Sequence, residues 1–164
     1  MGMKQILLMI AVVVLVVGCS KESQKTTSNK LIVDPYVELE IREVLKKPEG
    51  TLTEADLAKL TTFKFTVPVD DDLNELNITD AGLKDVAKLQ QLTKLDLRTL
   101  WGSEITDEGI KEVAKLQNLT ELNLNNHAIT DGGLKEVATL QKLTELNLEG
   151  TKITDAGLKE VAKL

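Results

Sequence analysis

Three features of the sequence predict an α/β solenoid. Leu92-Thr-Lys-Leu-Asp-Leu97, Leu119-Thr-Glu-Leu-Asn-Leu124 and Leu143-Thr-Glu-Leu-Asn-Leu148 are near copies. Each is followed by Ile-Thr-Asp and a short run of the Leu-Lys-Glu-Val-Ala type. A strand, a turn and a helix of this length cannot bury their apolar side alone, so the copies must stack and share a core.

The register follows from the spacing. Leu119 to Leu143 is 24 residues, one clean unit, while Leu92 to Leu119 is 27 and Leu60 to Leu92 is 32, the same unit with insertions of 3 and 8. Leu60-Thr-Thr-Phe-Lys-Phe65 then supplies the first strand, with Phe63 and Phe65 in place of leucines, and Asp70, Asp71 and Asp72 fall in the longer insertion. A rival register starting at Leu73-Asn-Glu-Leu76 would delete five residues and leave no strand-to-helix turn.

Within a unit, the two-residue period of a strand turns Leu122 and Leu124 inward and Glu121, Asn123 and Asn125 outward. Ile129 buries again after the turn. Thr130 is placed to cap a helix, as are Thr79, Thr106 and Thr154, with Asp131 and its equivalents next to the positive helix end. Gly82, Gly109, Gly133 and Gly157 all fall in the first helical turn, where glycine costs up to ~1 kcal/mol relative to alanine. A recurring cost implies close approach to the adjacent coil. Leu134, Val137 and Ala138 face the core at helical spacing, leaving Lys135 and Glu136 in water.

The pattern Leu-x-x-Leu-x-Leu, a turn slot holding His127 or Thr151, then Ile-Thr-Asp-x-Gly-Leu-Lys-Glu-Val-Ala-x-Leu resembles the leucine-rich repeat family in its short-helix bacterial form, over roughly Leu52 to Leu164. The resemblance implies a curved, right-handed solenoid with parallel strands on a concave side, short helices on the convex side, and protein binding on the concave strands. About four repeats occupy residues 60–164. Residues 34–59 resemble the helical N-terminal cap of internalin-like bacterial surface proteins. They also read as a cap unaided: Asp34 and Pro35 open a helix with an apolar stripe of Val37, Ile41, Val44 and Leu45, Pro48-Glu-Gly50 ends it, and Thr53-Glu-Ala-Asp56 starts a second helix to about Lys59. At the other end Leu146, Leu148, Ile153, Leu158 and Val161 are expected to lie open, accommodated by frayed residues, by further repeats in a longer array or by another molecule. Dimerisation ranks last, and the expected state is a monomer.

Residues 1–18 read as a secretion signal: Lys4, then an unbroken apolar run from Ile6 to Val17, shorter than the ~20 residues a spanning helix needs. Val16-Val-Gly-Cys19 resembles the lipobox of bacterial lipoproteins, which implies that Cys19, the chain's single cysteine, carries the lipid. Otherwise Cys19 is a stray thiol in an anchor helix. Residues 19–33 form the expected tether, and Ser20 after the acylated cysteine is similar to outer-membrane sorting in a diderm. The location expected is the bacterial cell envelope. Without the one lysine of residues 1–18, 19 of the 20 basic residues remain against 26 acidic ones, near −7, which argues against nucleic acid and against electrostatic adhesion to anionic lipid.

The expected binding surface is the concave ladder: Thr62, Lys94, Glu121 and Glu145 in one row, Lys64, Asp96, Asn123 and Asn147 in the next, and Thr66, Arg98, Asn125 and Glu149 in the third. Arg98 is its best anchor, because interface hot spots favour Trp, Tyr and Arg. The bland alternative is a solvated sheet face. Trp101, in the three-residue insertion, either projects over the rim as a contact or folds back as a lid. The acidic triplet at 70–72 could attract calcium, yet without a glycine-bearing loop it reads as a solvated loop, and no metal or cofactor is expected. His127 is expected to bond the turn backbone. One histidine and one cysteine assemble no nucleophile–base pair or zinc set, so the chain reads as a binding module for an unidentified protein, not an enzyme. The runner-up is a structural envelope protein that self-associates or packs on envelope material through its open edge.

Overall fold

The computed structural model describes residues 30–65, 78–98 and 105–162. The signal segment, Cys19, residues 20–29, the acidic triplet, Thr66 and Trp101 lie outside the described residues. Two short helices, α1 (Pro35–Val44) and α2 (Glu54–Leu57), precede β1 (Thr62–Lys64). Strand and helix then alternate: α3 (Asp80–Val86), β2 (Lys94–Asp96), α4 (Asp107–Val113), β3 (Glu121–Asn123), α5 (Asp131–Val137), β4 (Glu145–Asn147) and α6 (Asp155–Val161).

The four strands form one parallel sheet in chain order, with helices as crossovers. Thr62 aligns with Lys94, Glu121 and Glu145, and Lys64 with Asp96, Asn123 and Asn147. The register starting at Leu60 is therefore the one the chain adopts. Phe63, Leu95 and Leu122 are each 2% exposed, and Leu97, Leu124, Ile105 and Ile129 are buried behind them. Each such side chain contributes roughly 1.5–3 kcal/mol relative to exposure, so the shared seam is the main source of stability.

The repeat threonines act as expected. Thr79, Thr106, Thr130 and Thr154 each accept a backbone N–H from the first turn of the following helix. The aspartates after them do something the sequence reading did not foresee. Asp107 accepts Thr130 N–H at 2.8 Å and Thr130 O–H at 2.6 Å, joining one coil to the next. Asp80 holds Thr106 and Asp131 holds Thr154 in the same way. The glycines sit directly against these carboxylates, so a methyl group at Gly109 would overlap Asp80, and one at Gly157 would overlap Asp131. That contact is the close approach inferred from their recurrence.

At the leading end, Asp34 caps α1 through bonds from Tyr36 and Val37 N–H. Its carboxylate also packs beside Gly82, in the place that a coil's aspartate takes for the next glycine. Thr53 and Asp56 form the reciprocal capping box of α2. Three details depart from expectation. Val44 is 49% exposed, and Tyr36 takes its share of the core, stacked on Phe65 at 4.9 Å. The helix ends at Val44 through Lys46, whose φ is +51°, ahead of Pro48. The tether does not extend to residue 33, since Ile32 is 1% exposed within the core.

Among the described residues, the last coil packs on the preceding coil alone. Leu146, Leu148, Ile153 and Val161 are partly buried, and Leu158 is 50% exposed.

Candidate functional site

The sheet face opposite the helices is a shallow groove of about 490 Å³ spanning all four strands and lined by the outward residues of the first two rows. It brings together the expected site residues Lys64, Lys94, Asp96, Glu121, Asn123, Glu145 and Asn147. Arg98, Asn125 and Glu149 follow at the strand ends, where Asn125 donates to Glu149 at 3.1 Å. No described element covers this face.

Charges on the ladder are partly spent on one another. Lys94 pairs across strands with Glu121 at 2.5 Å, and Arg98 pairs with Asp96 at 2.8 Å. The Glu121 carboxylate, with a smaller contribution from Glu145, raises the Lys94 ammonium above its ordinary value. The Asp96 and Asn123 side chains also accept backbone N–H bonds two residues on, from Arg98 and Asn125. Arg98 is thus a half-exposed guanidinium already engaged by Asp96.

His127 is 2% exposed. Its Nε2 lies 2.5 Å from the Leu97 carbonyl, donating to the end of the preceding coil's strand. The ring reaches the preceding coil, and its own turn is closed weakly by the main chain, His127 N–H donating to the Leu124 carbonyl at 3.4 Å. Burial pushes the ring's pKa below the usual histidine value, against the opposing pull of the Leu97 carbonyl and Asp80. In the next coil Thr151 donates to Leu148 within its own turn. The two residues share a slot and differ in reach.

A further residue escaped the sequence reading. Asp85, 4% exposed, accepts both Val33 and Asp34 N–H at 2.6 Å and receives Lys88 at 2.6 Å. Burial pushes its carboxyl up, and these donors outweigh that and hold it below the usual carboxylate range. Lys88 also donates to Leu31 carbonyl at 2.7 Å, so one helix turn pins the entry of the domain. The signal was visible: the equivalent positions hold Glu112, Glu136 and Glu160, and only this coil has the shorter acid.

Residues 115–138 and 139–162 match the leucine-rich repeat family model. The fold resembles a crystal structure of an internalin, inlF, from Listeria monocytogenes at 25% identity and a TM-score of 0.59, covering 83% of this chain and 36% of that one. A second similar structure, internalin C2 (inlC2) of the same organism, has 24% identity and a TM-score of 0.43, with 89% of this chain and 78% of that one covered. No curated protein matches the sequence. The chain spans about a third of the length of the inlF internalin. Its third and fourth coils are leucine-rich repeats by sequence, and the described structure is an internalin-like leucine-rich repeat solenoid. Folds of this class commonly serve as protein-interaction modules.

Proposed function

We propose that this chain is a lipid-anchored, extracytoplasmic module that binds another protein on its concave strands. The observation carrying this reading is the uncovered four-strand ladder, whose outward side chains stay polar in register while the opposite side forms the core. A rigid scaffold that holds charged and amide groups on adjacent strands presents them without the backbone ordering cost that a loop would carry on binding. Cys19 carries the lipid, and the stretch after it lets the domain range about 20 Å from the membrane. Membrane attachment draws on the methylenes of the acyl chains, each about 0.8 kcal/mol when buried.

The test has two arms. Intact-mass measurement of the mature protein should find an acylated Cys19 as the first residue, and an unmodified chain retaining residues 1–18 would refute the anchor. Photo-crosslinking in intact cells from Asn123 should capture one defined protein, and Arg98→Ala should weaken its recovery about tenfold or more, as truncation of an arginine hot spot does. Crosslinks spread over unrelated proteins, or capture indifferent to every ladder substitution, would refute the binding face. A structural role through the far edge is favoured only by the exposure of Leu158. Sedimentation of the purified chain at a single protomer's mass would dispose of self-association.

A further inference from the structure

The ladder is split by charge along the solenoid. On β1 and β2 with their following residue, the outward positions hold Lys64, Lys94 and Arg98 against a single carboxylate, Asp96. On β3 and β4 they hold Glu121, Glu145 and Glu149 and no cation. Internal pairing takes up Lys94 with Glu121 and Arg98 with Asp96. That leaves Lys64 at one end and Glu145 and Glu149 at the other, all exposed and none in an ion pair among the described residues. Glu121 and Glu145 stand opposite each other on adjacent strands. Like charges so placed are destabilising, and since Lys94 pairs with Glu121, Glu145 is the carboxylate of the two that an incoming cation meets.

Resting on the reading of this face as the binding surface, we infer that its partner is a protein segment carrying charge in two blocks, a carboxylate block over β1–β2 and a lysine or arginine block over β3–β4. With strands about 4.8 Å apart, Lys64 and Glu145 lie about 14 Å apart along the groove. About four residues of extended chain bridge that distance at ~3.3 Å each. Complementary fields of this kind select the partner and its direction of docking more than they raise affinity.

Two end-blocked hexapeptides of identical composition test the charge order: Glu-Glu-Ser-Gly-Lys-Lys, and the alternating Glu-Lys-Ser-Gly-Glu-Lys. Amide chemical shifts of the ladder residues are followed by NMR at low salt. The block peptide should bind at least about threefold more tightly than the alternating one, with shifts on both halves of the groove. The variant Lys64→Glu with Glu145→Lys, both surface changes that keep the net charge, should lose that preference. Equal binding of the two peptides, no binding of either, or a preference unchanged in the double variant would overturn the inference. Should the protein captured from cells bind the double variant as well as the original chain, the charge order falls while the binding face stands. Should no defined protein be captured at all, the binding-face reading itself falls.

Discussion

At His127 a single ring ties two coils, because Nε2 reaches the Leu97 carbonyl while the side chain is sealed from water. Its pKa is lower in the folded chain than in the unfolded one, so the unfolded state takes up the proton first. Stability is therefore full above the unfolded value near 6.5 and declines as pH falls from there toward the folded value, by roughly 1 kcal/mol or less per pH unit. Urea midpoints at about pH 7.5 and about pH 5.5 should show this decline. His127→Thr, the next coil's choice, should cost about 1–3 kcal/mol at neutral pH and flatten the dependence. Asp85 has the opposite chemistry and a larger role. Removing its carboxylate strands two N–H groups and leaves the Lys88 ammonium to the Leu31 carbonyl and water. Asp85→Ala should cost about 3 kcal/mol and open residues 30–34 to protease. Asp85→Glu should rescue little of this, since the longer acid overshoots two donors that converge on one oxygen. Because the folded carboxyl sits low, the latch holds above the ordinary aspartate range and fails as pH drops through the folded value.

Strands and helices were legible because each repeats a period: alternation placed Leu95, Leu122 and their partners, and threonine marked the start of each helix after α1. The ladder's rows were legible for the same reason, since subtraction of repeat lengths is equivalent to strand register when strands are parallel and consecutive. What links one coil to the next was not. Asp107 looked like a local helix-end charge, and only the stacking of coils carries its carboxylate onto Thr130. Ile32 and Tyr36 were missed because non-repeating residues have no period to read, and their burial depends on how the cap closes over Phe65. The glycine after each aspartate did carry the hint, and it makes the ladder testable element by element. Gly109→Ala forces its methyl into the Asp80 carboxylate and should cost about 1–3 kcal/mol despite the better helix propensity of alanine. Combining it with Asp80→Ala should recover part of that loss, because the nearest obstacle is then gone and only Leu83 Cδ1, at 2.7 Å, has still to give. A double-mutant cycle by urea unfolding measures the coupling, and simple additivity would mean that the two groups do not meet.

Stacking makes the molecule nearly one-dimensional, so a residue's worth depends on which coil holds it as much as on its place in the repeat. Leu134 and Leu158 are the same position of consecutive units, yet the first is fully buried between neighbours and the second is half exposed on α6. Leu134→Ala opens a cavity between coils and should cost about 2–5 kcal/mol. Leu158→Ala removes side chain that water already reaches, and should cost less than about 1.5 kcal/mol. The same gradient should appear in amide exchange. Leu97 and Leu124 donate to the following strand from inside the sheet, while β4 has a neighbour on one side only. Protection should thus fall from β2 to β4, with the last coil opening before the rest. Equal costs at Leu134 and Leu158, together with uniform exchange across the sheet, would mean that the last coil is covered in solution. The covering surface would then have to meet Leu146, Leu148 and Leu158 together.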